Sequence, residues 1–185
     1  MFKKDINPAK KTKVKSSAQR ALRSKLCDSY PLLAPYIDEI IPKKSQLDVM
    51  KLPDFATLYS LESHPLFVEI EKKGADDIFL PHLKLVHAFP HCFKRVQIDR
   101  GAIRFVLSGA ALMAPGLTSP GGRLPPAEEA LKPGEVVAVG AEGKDEICLI
   151  GILKMGTEEM KEKKKGVVMD EGHYLGDGLW KLSVE

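Results

Sequence analysis

The stretch Gly101-Ala-Ile-Arg-Phe-Val-Leu-Ser-Gly-Ala-Ala-Leu-Met-Ala-Pro-Gly-Leu117 decides the fold. Asp99, just ahead of it, is a residue type that caps helix starts. Behind Asp99, Ala102, Ile103, Val106 and Leu107 recur at helical spacing and predict an inner face. Arg100 and Arg104 stand four apart, so the spacing puts them on one helix face, away from that core. Gly109 is placed as the C-terminal cap, where a left-handed residue without a Cβ is favoured. Leu112-Met-Ala114 reads as a short strand, and Pro115-Gly116 as a turn.

Working outward, Phe93-Lys-Arg-Val-Gln-Ile98 alternates as a strand and opens a second unit. Residues 117–134 are rich in Pro and Gly and read as a loop. Val136–Ala141 and Ile147–Met155 read as buried strands joined at Glu142-Gly-Lys-Asp145. A short helix follows Thr157. Its acids lead and its bases trail, which suits the helix dipole, so the run Lys163-Lys-Lys165 is partly structural. Short strands at 167–169, 173–175 and 179–182 close the unit.

Ahead of residue 93 the pattern differs. Residues 3–15 carry no hydrophobic period and read as a flexible arm. Ser16-Ser17 caps a helix with Ala18, Ala21, Leu22 and Leu26 inward and Gln19, Arg20 and Arg23 outward. A second helix begins near Ala34 and stops at Pro42. Strands follow at 47–52, 55–61 and 66–70, with Ser63-His64-Pro65 as a turn. Residues 80–89 return to helical spacing, and Pro90 ends them. The expectation is an α+β protein of two units, 1–92 and 93–185.

The chain has 185 residues, 44% hydrophobic and 29% charged, which excludes wholesale disorder. Its longest apolar run, Ile147–Leu153, falls far short of the ~20 residues that span a bilayer. No apolar signal-peptide core follows Met1. The reading is a cytoplasmic protein with no membrane partner. Cys27, Cys92 and Cys148 are sparse and far apart, which argues against a disulfide framework or structural zinc. The net charge of +3 conceals an asymmetry. Residues 1–25 hold nine Lys/Arg against Asp5 alone, whereas the remainder carries 19 bases and 24 acids. A basic arm on a mildly acidic body points to a polyanion, most often nucleic acid; the plain alternative is a solvated terminus.

Enzyme signatures are missing. There is no Gly-x-x-x-x-Gly-Lys-Ser/Thr loop, no Gly-x-Gly-x-x-Gly and no Gly-x-Ser-x-Gly elbow. His87, His91 and Cys92 have a superficial metal-ligand look, but Pro90 interrupts the helix that would align the histidines. Gly176-Asp-Gly178 lacks the further acids of a calcium loop and reads as a tight turn. No catalytic residue, metal or cofactor is expected. Trp180, the lone tryptophan, reads as core.

The Gly101–Leu117 stretch resembles the helix-and-strand signature of PUA domains, RNA-binding modules named for pseudouridine synthase and archaeosine transglycosylase. Val136-Val-Ala-Val139, Gly151-Ile-Leu-Lys154 and Gly166-Val-Val168 match their later strands. Met1-Phe-Lys-Lys4, Ile41-Pro-Lys-Lys44, Leu112–Gly121 and His173–Trp180 extend the likeness over nearly the whole chain. They resemble the malignant-T-cell-amplified-sequence family, whose fungal members are translation machinery-associated proteins. The resemblance implies an N-terminal α+β domain followed by a PUA domain, a pseudo-barrel β fold with short helices. It also implies association with the small ribosomal subunit and its rRNA, and a heterodimer with a density-regulated-protein type partner. The roles implied are noncanonical initiation, reinitiation, and removal of deacylated tRNA during ribosome recycling. The lysine-rich arm over residues 5–20 and the Pro-Pro-Ala-Glu-Glu character of the loop at 122–134 depart from the family pattern.

With that pattern, Arg100 and Arg104 become candidate phosphate contacts for the tRNA acceptor end. Gly109 and Ala110 are small enough to admit RNA backbone, and Pro115 and Gly116 turn the next strand toward the same edge. Lys94, Arg95, Arg123 and Lys144 extend the basic surface. The ribosome-facing candidates are Lys10, Lys11, Lys13 and Lys15 of the arm, with Lys43 and Lys44. The expected function is that of a non-enzymatic RNA-binding translation factor. The alternatives are an RNA-modification enzyme or its accessory subunit using the PUA domain to hold tRNA, and a purely protein-binding scaffold.

Overall fold

A computed structural model describes residues 1–185. The chain divides into two compact units, but not in a single cut. One comprises Ile6–Phe93 and Leu182–Glu185; the other comprises Met1–Asp5 and Lys94–Lys181. The sequence reading divides the chain once, at 92/93; here Phe93 goes with the first unit, Met1–Asp5 with the second and Leu182–Glu185 with the first. Phe2, near one end, and Val184, near the other, are buried, each in the unit opposite to that expectation.

In the first unit β1 (Lys11–Lys13) precedes α1 (Ser16–Ser29). A 3-10 turn over Ala34–Tyr36 then leads into α2 (Ile37–Ile40). The strands β2 (Asp48–Leu52), β3 (Ala56–Leu61), β4 (His64–Ile70) and β5 (Ile78–Pro81) follow, and α3 (Leu83–Ala88) ends the set. All five strands form one antiparallel sheet in chain order. Residues 3–15 are therefore not a free arm. Lys11–Lys13 pair with Asp48–Met50, Lys13 bridges Asp48 at 2.8 Å, and the Val14 N–H donates to the Leu47 carbonyl. The polar triplet Lys-Thr-Lys has no hydrophobic alternation because an edge strand can be held by its ladder alone.

Three further expectations change. Glu62 and Ser63 both have positive φ and form the β3–β4 turn, so His64 and Pro65 belong to β4. Residues 78–81 are a strand, which shortens the predicted helix to Leu83–Ala88 and caps it on His82, whose Nδ1 accepts the Lys84 N–H. Gln19, read as outward, is buried: its Oε1 accepts the Leu47 N–H and its Nε2 donates to the Ser45 carbonyl, both at 2.9 Å. Arg23 likewise turns to bond the Ile41 carbonyl and Asp38. Both residues spend polar groups on the connection that α1 must cover, which apolar spacing does not reveal.

The second unit begins with β6 (Arg95–Ile98), a 3-10 turn at Arg100–Ala102, α4 (Ile103–Leu107), β7 (Leu112–Met113) and α5 (Pro115–Thr118). After the loop come β8 (Val136–Ala141), β9 (Leu149–Ile152), α6 (Thr157–Lys163), β10 (Val167–Met169), β11 (Gly172–Tyr174) and α7 (Gly178–Lys181). One sheet has the order β11-β9-β8-β6, with β6 and β8 parallel; β7 pairs with β10 in a second. Val96, Ile98, Val106, Leu117, Val137, Val139 and Val168 lie in one buried cluster between these elements.

Two predicted elements are corrected here. Residues 178–181 form a helix, not a strand, because the buried Asp177 carboxylate accepts the Trp180 N–H at 2.9 Å and caps it. Pro115-Gly116 opens a helical turn, with Pro at its tolerated first position. Of the run Lys163-Lys-Lys165, Lys163 ends α6 and pairs with Glu159, while Lys161 ahead of it pairs with Glu158. No helix is long and apolar enough to cross a membrane. Cys92 and Cys148 are buried free thiols, Cys27 is half-buried, and burial pushes the Cys148 thiol up to about 11.

Candidate nucleic-acid interface

The stretch that decides the fold also builds the main groove. Asp99 accepts the Ala102 N–H at 2.9 Å and starts the 3-10 turn that runs into α4. At the other end Gly109, at φ +82°, donates to the Val106 carbonyl, and Ala110 donates to that of Phe105. This is the paired closure of a Schellman motif. It turns the chain sharply, so that Ala110 and Ala111 leave α4 and return as β7 along its flank. Gly116 completes the opposite wall: its carbonyl accepts the Asp99 N–H at 2.8 Å, and a Cβ there would lie 3.1 Å from that of Ala102.

Between these walls lies a groove of about 570 Å³. Arg104, Phe105, Ala110, Met113, Pro115 and Gly116 are among its lining residues. Phe105 is 53% exposed and Met113 44%, unusual for side chains of their size. The Arg104 guanidinium sits over the Phe105 ring, 4.7 Å from its centroid. An open apolar floor with a cation at its edge suits a flat, anionic-backboned ligand. Leu107, read as inward, is 39% exposed, because α4 runs only five residues and buries Val106 alone.

Of the residues singled out from the sequence, Arg104, Ala110, Pro115 and Gly116 line this groove, and Gly109 forms the turn beneath it. The others lie apart from it. Arg100 belongs to the 3-10 turn, so helical spacing from Arg104 does not hold. Its guanidinium lies against Gly143, where a Cβ would meet Nη2 at 2.5 Å, and its backbone N–H donates to Glu142. Lys94 pairs with Glu135. Burial alone would raise the Glu135 carboxyl, but hydrogen bonds from Lys94 and the Lys132 N–H hold it below its ordinary value. Arg95 lies over Gly140 of β8, Arg123 donates to the Gln97 side chain at 2.9 Å, and Lys144 is exposed in the β8–β9 turn. Phe105 and Met113 also line the groove and are not among the residues singled out from the sequence. A large apolar residue off the buried stripe of an amphipathic helix is the signal that Phe105 offered.

In the first unit Lys11 donates to the Val184 carbonyl at 2.6 Å and Lys13 is paired with Asp48. Lys10, Lys15, Lys43 and Lys44 are exposed. Lys43 shares a hollow of about 270 Å³ with Ser16, Arg20, Arg23 and Ser45, a basic cluster in which the sequence reading makes only Lys43 a ribosome-facing candidate. His87, His91 and Cys92 form no metal set: no group of three or more His, Cys, Asp or Glu side chains is close enough to hold an ion. His91 instead stacks edge-on against Tyr36 at 4.9 Å. Trp180 is half-buried, and Asp177 in the tight turn is fully enclosed, pairing with His173 at 2.9 Å.

Residues 2–90 match the Pre-PUA-like domain family, and residues 94–175 match the PUA domain family. The chain is 49% identical to translation machinery-associated protein 20 of Saccharomyces cerevisiae, over the full length of both. The chain belongs to the translation machinery-associated protein 20 and malignant T-cell-amplified sequence family. The Drosophila melanogaster malignant T-cell-amplified sequence 1 homolog is 41% identical, covering 91% of this chain and 88% of its own. A hypothetical protein of Pyrococcus horikoshii shares the fold, at a TM-score of 0.72 and 21% identity, covering 95% of this chain and 100% of its own. Family membership supports a translation-related, RNA-binding role. The groove of α4, β7 and α5 lies within the segment of this chain that matches the PUA domain family.

Proposed function

We propose that this chain is a non-enzymatic translation factor that holds the single-stranded acceptor end of a tRNA in the groove beside α4. The observation that carries the reading is the groove itself. Phe105 offers a ring face for a base, Arg104 a cation for the adjoining phosphate, and Ala110-Ala111 a wall without bulk where sugar-phosphate can approach. Such contacts position RNA; they neither make nor break a bond. Family membership supports the wider setting: work on the small ribosomal subunit with a density-regulated-protein type partner, in noncanonical initiation, reinitiation and release of deacylated tRNA. The exposed cations Lys10, Lys15, Lys43 and Lys44, together with Arg20, are the proposed rRNA contacts of the first unit. Lys11 and Lys13 are committed to internal partners and contribute less. Arg100, Lys94, Arg95, Arg123 and Lys144 form the outer basic surface of the second unit and serve as peripheral phosphate contacts.

The test is tRNA binding by Phe105→Ala and Arg104→Glu, with folding checked by circular dichroism. Loss of a stacked base costs about 1–3 kcal/mol, so Phe105→Ala should weaken binding roughly 5- to 150-fold with the salt slope unchanged. Arg104→Glu should weaken binding and flatten the log-log salt slope by about 0.7, the value for one phosphate on a single strand. Folded variants with wild-type affinity would place the RNA elsewhere.

A further inference from the structure

We infer that Lys3 is a phosphate-contacting residue of the same RNA site, carried to Gly109, next to the Ala110 wall of the groove, by a docked segment of residues 1–5. This rests on the reading of the groove as an RNA site. Composition assigns Lys3 to a loose basic arm, but Met1–Asp5 are part of the second unit. Three contacts hold them there. The Phe2 side chain is buried, and its ring meets that of His173 edge-on at 6.3 Å. The Phe2 carbonyl accepts the Gly178 N–H at 2.8 Å. The backbone lies so close to Gly178 that a Cβ there would sit 1.8 Å from the Lys4 carbonyl oxygen.

With Phe2 fixed, the neighbouring Lys3 side chain runs to Gly109. Its Cε lies 3.2 Å from the place a Gly109 Cβ would occupy, beside the Tyr174 ring and hydroxyl. The absent glycine side chain thus opens the space that the lysine methylenes fill, while Lys3 as a whole stays exposed. No carboxylate pairs with it, unlike Lys94, Lys154, Lys161 and Lys163 of the same unit. The hollow that Met1 shares with Gly109 and Ala110 adjoins the groove: Val106 and Ala110 line both. An unpaired ammonium on a fixed backbone, at the end of a groove with Arg104 along its wall, matches a strand that presents successive phosphates. A phosphate contact carries no base information, so the ligand class is single-stranded RNA of any sequence.

The experiment measures binding of an unacylated tRNA transcript and of a short single-stranded oligoribonucleotide across a salt series. Lys3→Ala should weaken both about three- to tenfold and flatten the salt slope by about 0.7, and Lys3→Arg should restore both. Lys73→Ala removes the same charge from an exposed site on the first unit and should change neither. Phe2→Ala should reproduce the Lys3→Ala loss, and the double variant should lose no more than the larger single one. Wild-type affinity and slope in Lys3→Ala, or an equal loss in Lys73→Ala, overturns the inference. Because Lys3 is exposed, Lys3→Ala decides the matter even if Phe2→Ala fails to fold. If Phe105→Ala and Arg104→Glu bind normally, the groove reading itself fails. If they lose binding while Lys3→Ala does not, only the role of Lys3 fails.

Discussion

Gly109 joins backbone chemistry to the binding surface. Its φ of +82° closes the Schellman motif, and a Cβ would stand 2.9 Å from the Tyr174 hydroxyl. Gly109→Ala should therefore lower stability by about 1–2 kcal/mol through the left-handed backbone alone, read as a fall in melting temperature. An unchanged melting temperature would mean that the turn relaxes freely. The cysteines give an independent residue-scale test. Burial lifts Cys148 to about 11 and raises Cys92, so neither forms appreciable thiolate at pH 8. Native protein should then release one equivalent in a thiol titration at pH 8, from half-buried Cys27, and three after denaturation. Three rapid equivalents in native protein would contradict the burial. At this scale the turn at Gly109 and Ala110 is legible in the sequence, since cap chemistry is local. The sequence did not show Phe105, whose apolar character looks the same whether the residue packs inward or floors a groove.

Among the elements, β1 carries the largest revision. It has no apolar period, so nothing local distinguishes it from a loop; its partner β2 defines it. Removing residues 1–15 takes away the buried side chains of Phe2 and Val14 and the β1 ladder. Each buried apolar side chain is worth about 1.5–3 kcal/mol, so the truncation should destabilise each unit by at least about 1.5 kcal/mol in a denaturant titration. A truncated protein as stable as the full chain would restore the picture of a free arm. The helix α7 failed to show for a different reason. The short, mostly apolar run Leu179-Trp-Lys-Leu182 suits a strand as well as a helix, but the Asp177 carboxylate takes the N–H groups of Tyr174 and Trp180 and imposes a turn. By contrast, α6 and the α4 cap were legible, because their signals of charge order, Asp99 and Gly109 lie within the element itself.

For the molecule as a whole, the succession of an N-terminal α+β part and a PUA part was readable from the Gly101–Leu117 motif. The exchange of ends was not: Phe2 and Gly178 meet across 176 positions, and no local pattern reports a contact of that separation. The same exchange changes the meaning of the basic N-terminal stretch. Lys11 and Lys13 hold the first unit together, while Lys3 stands on the second. The central claim is that RNA occupies the groove between α4 and the β7–α5 segment. The most direct measurement is a titration of the isotopically labelled protein with a single-stranded oligoribonucleotide matching a tRNA acceptor end, followed residue by residue in amide and methyl NMR spectra. The account predicts the largest shifts at Phe105, Ala110, Ala111 and Met113, with the β2–β5 strands undisturbed. Shifts confined to the first unit, or to the outer edge along Arg95 and Arg123, would contradict it.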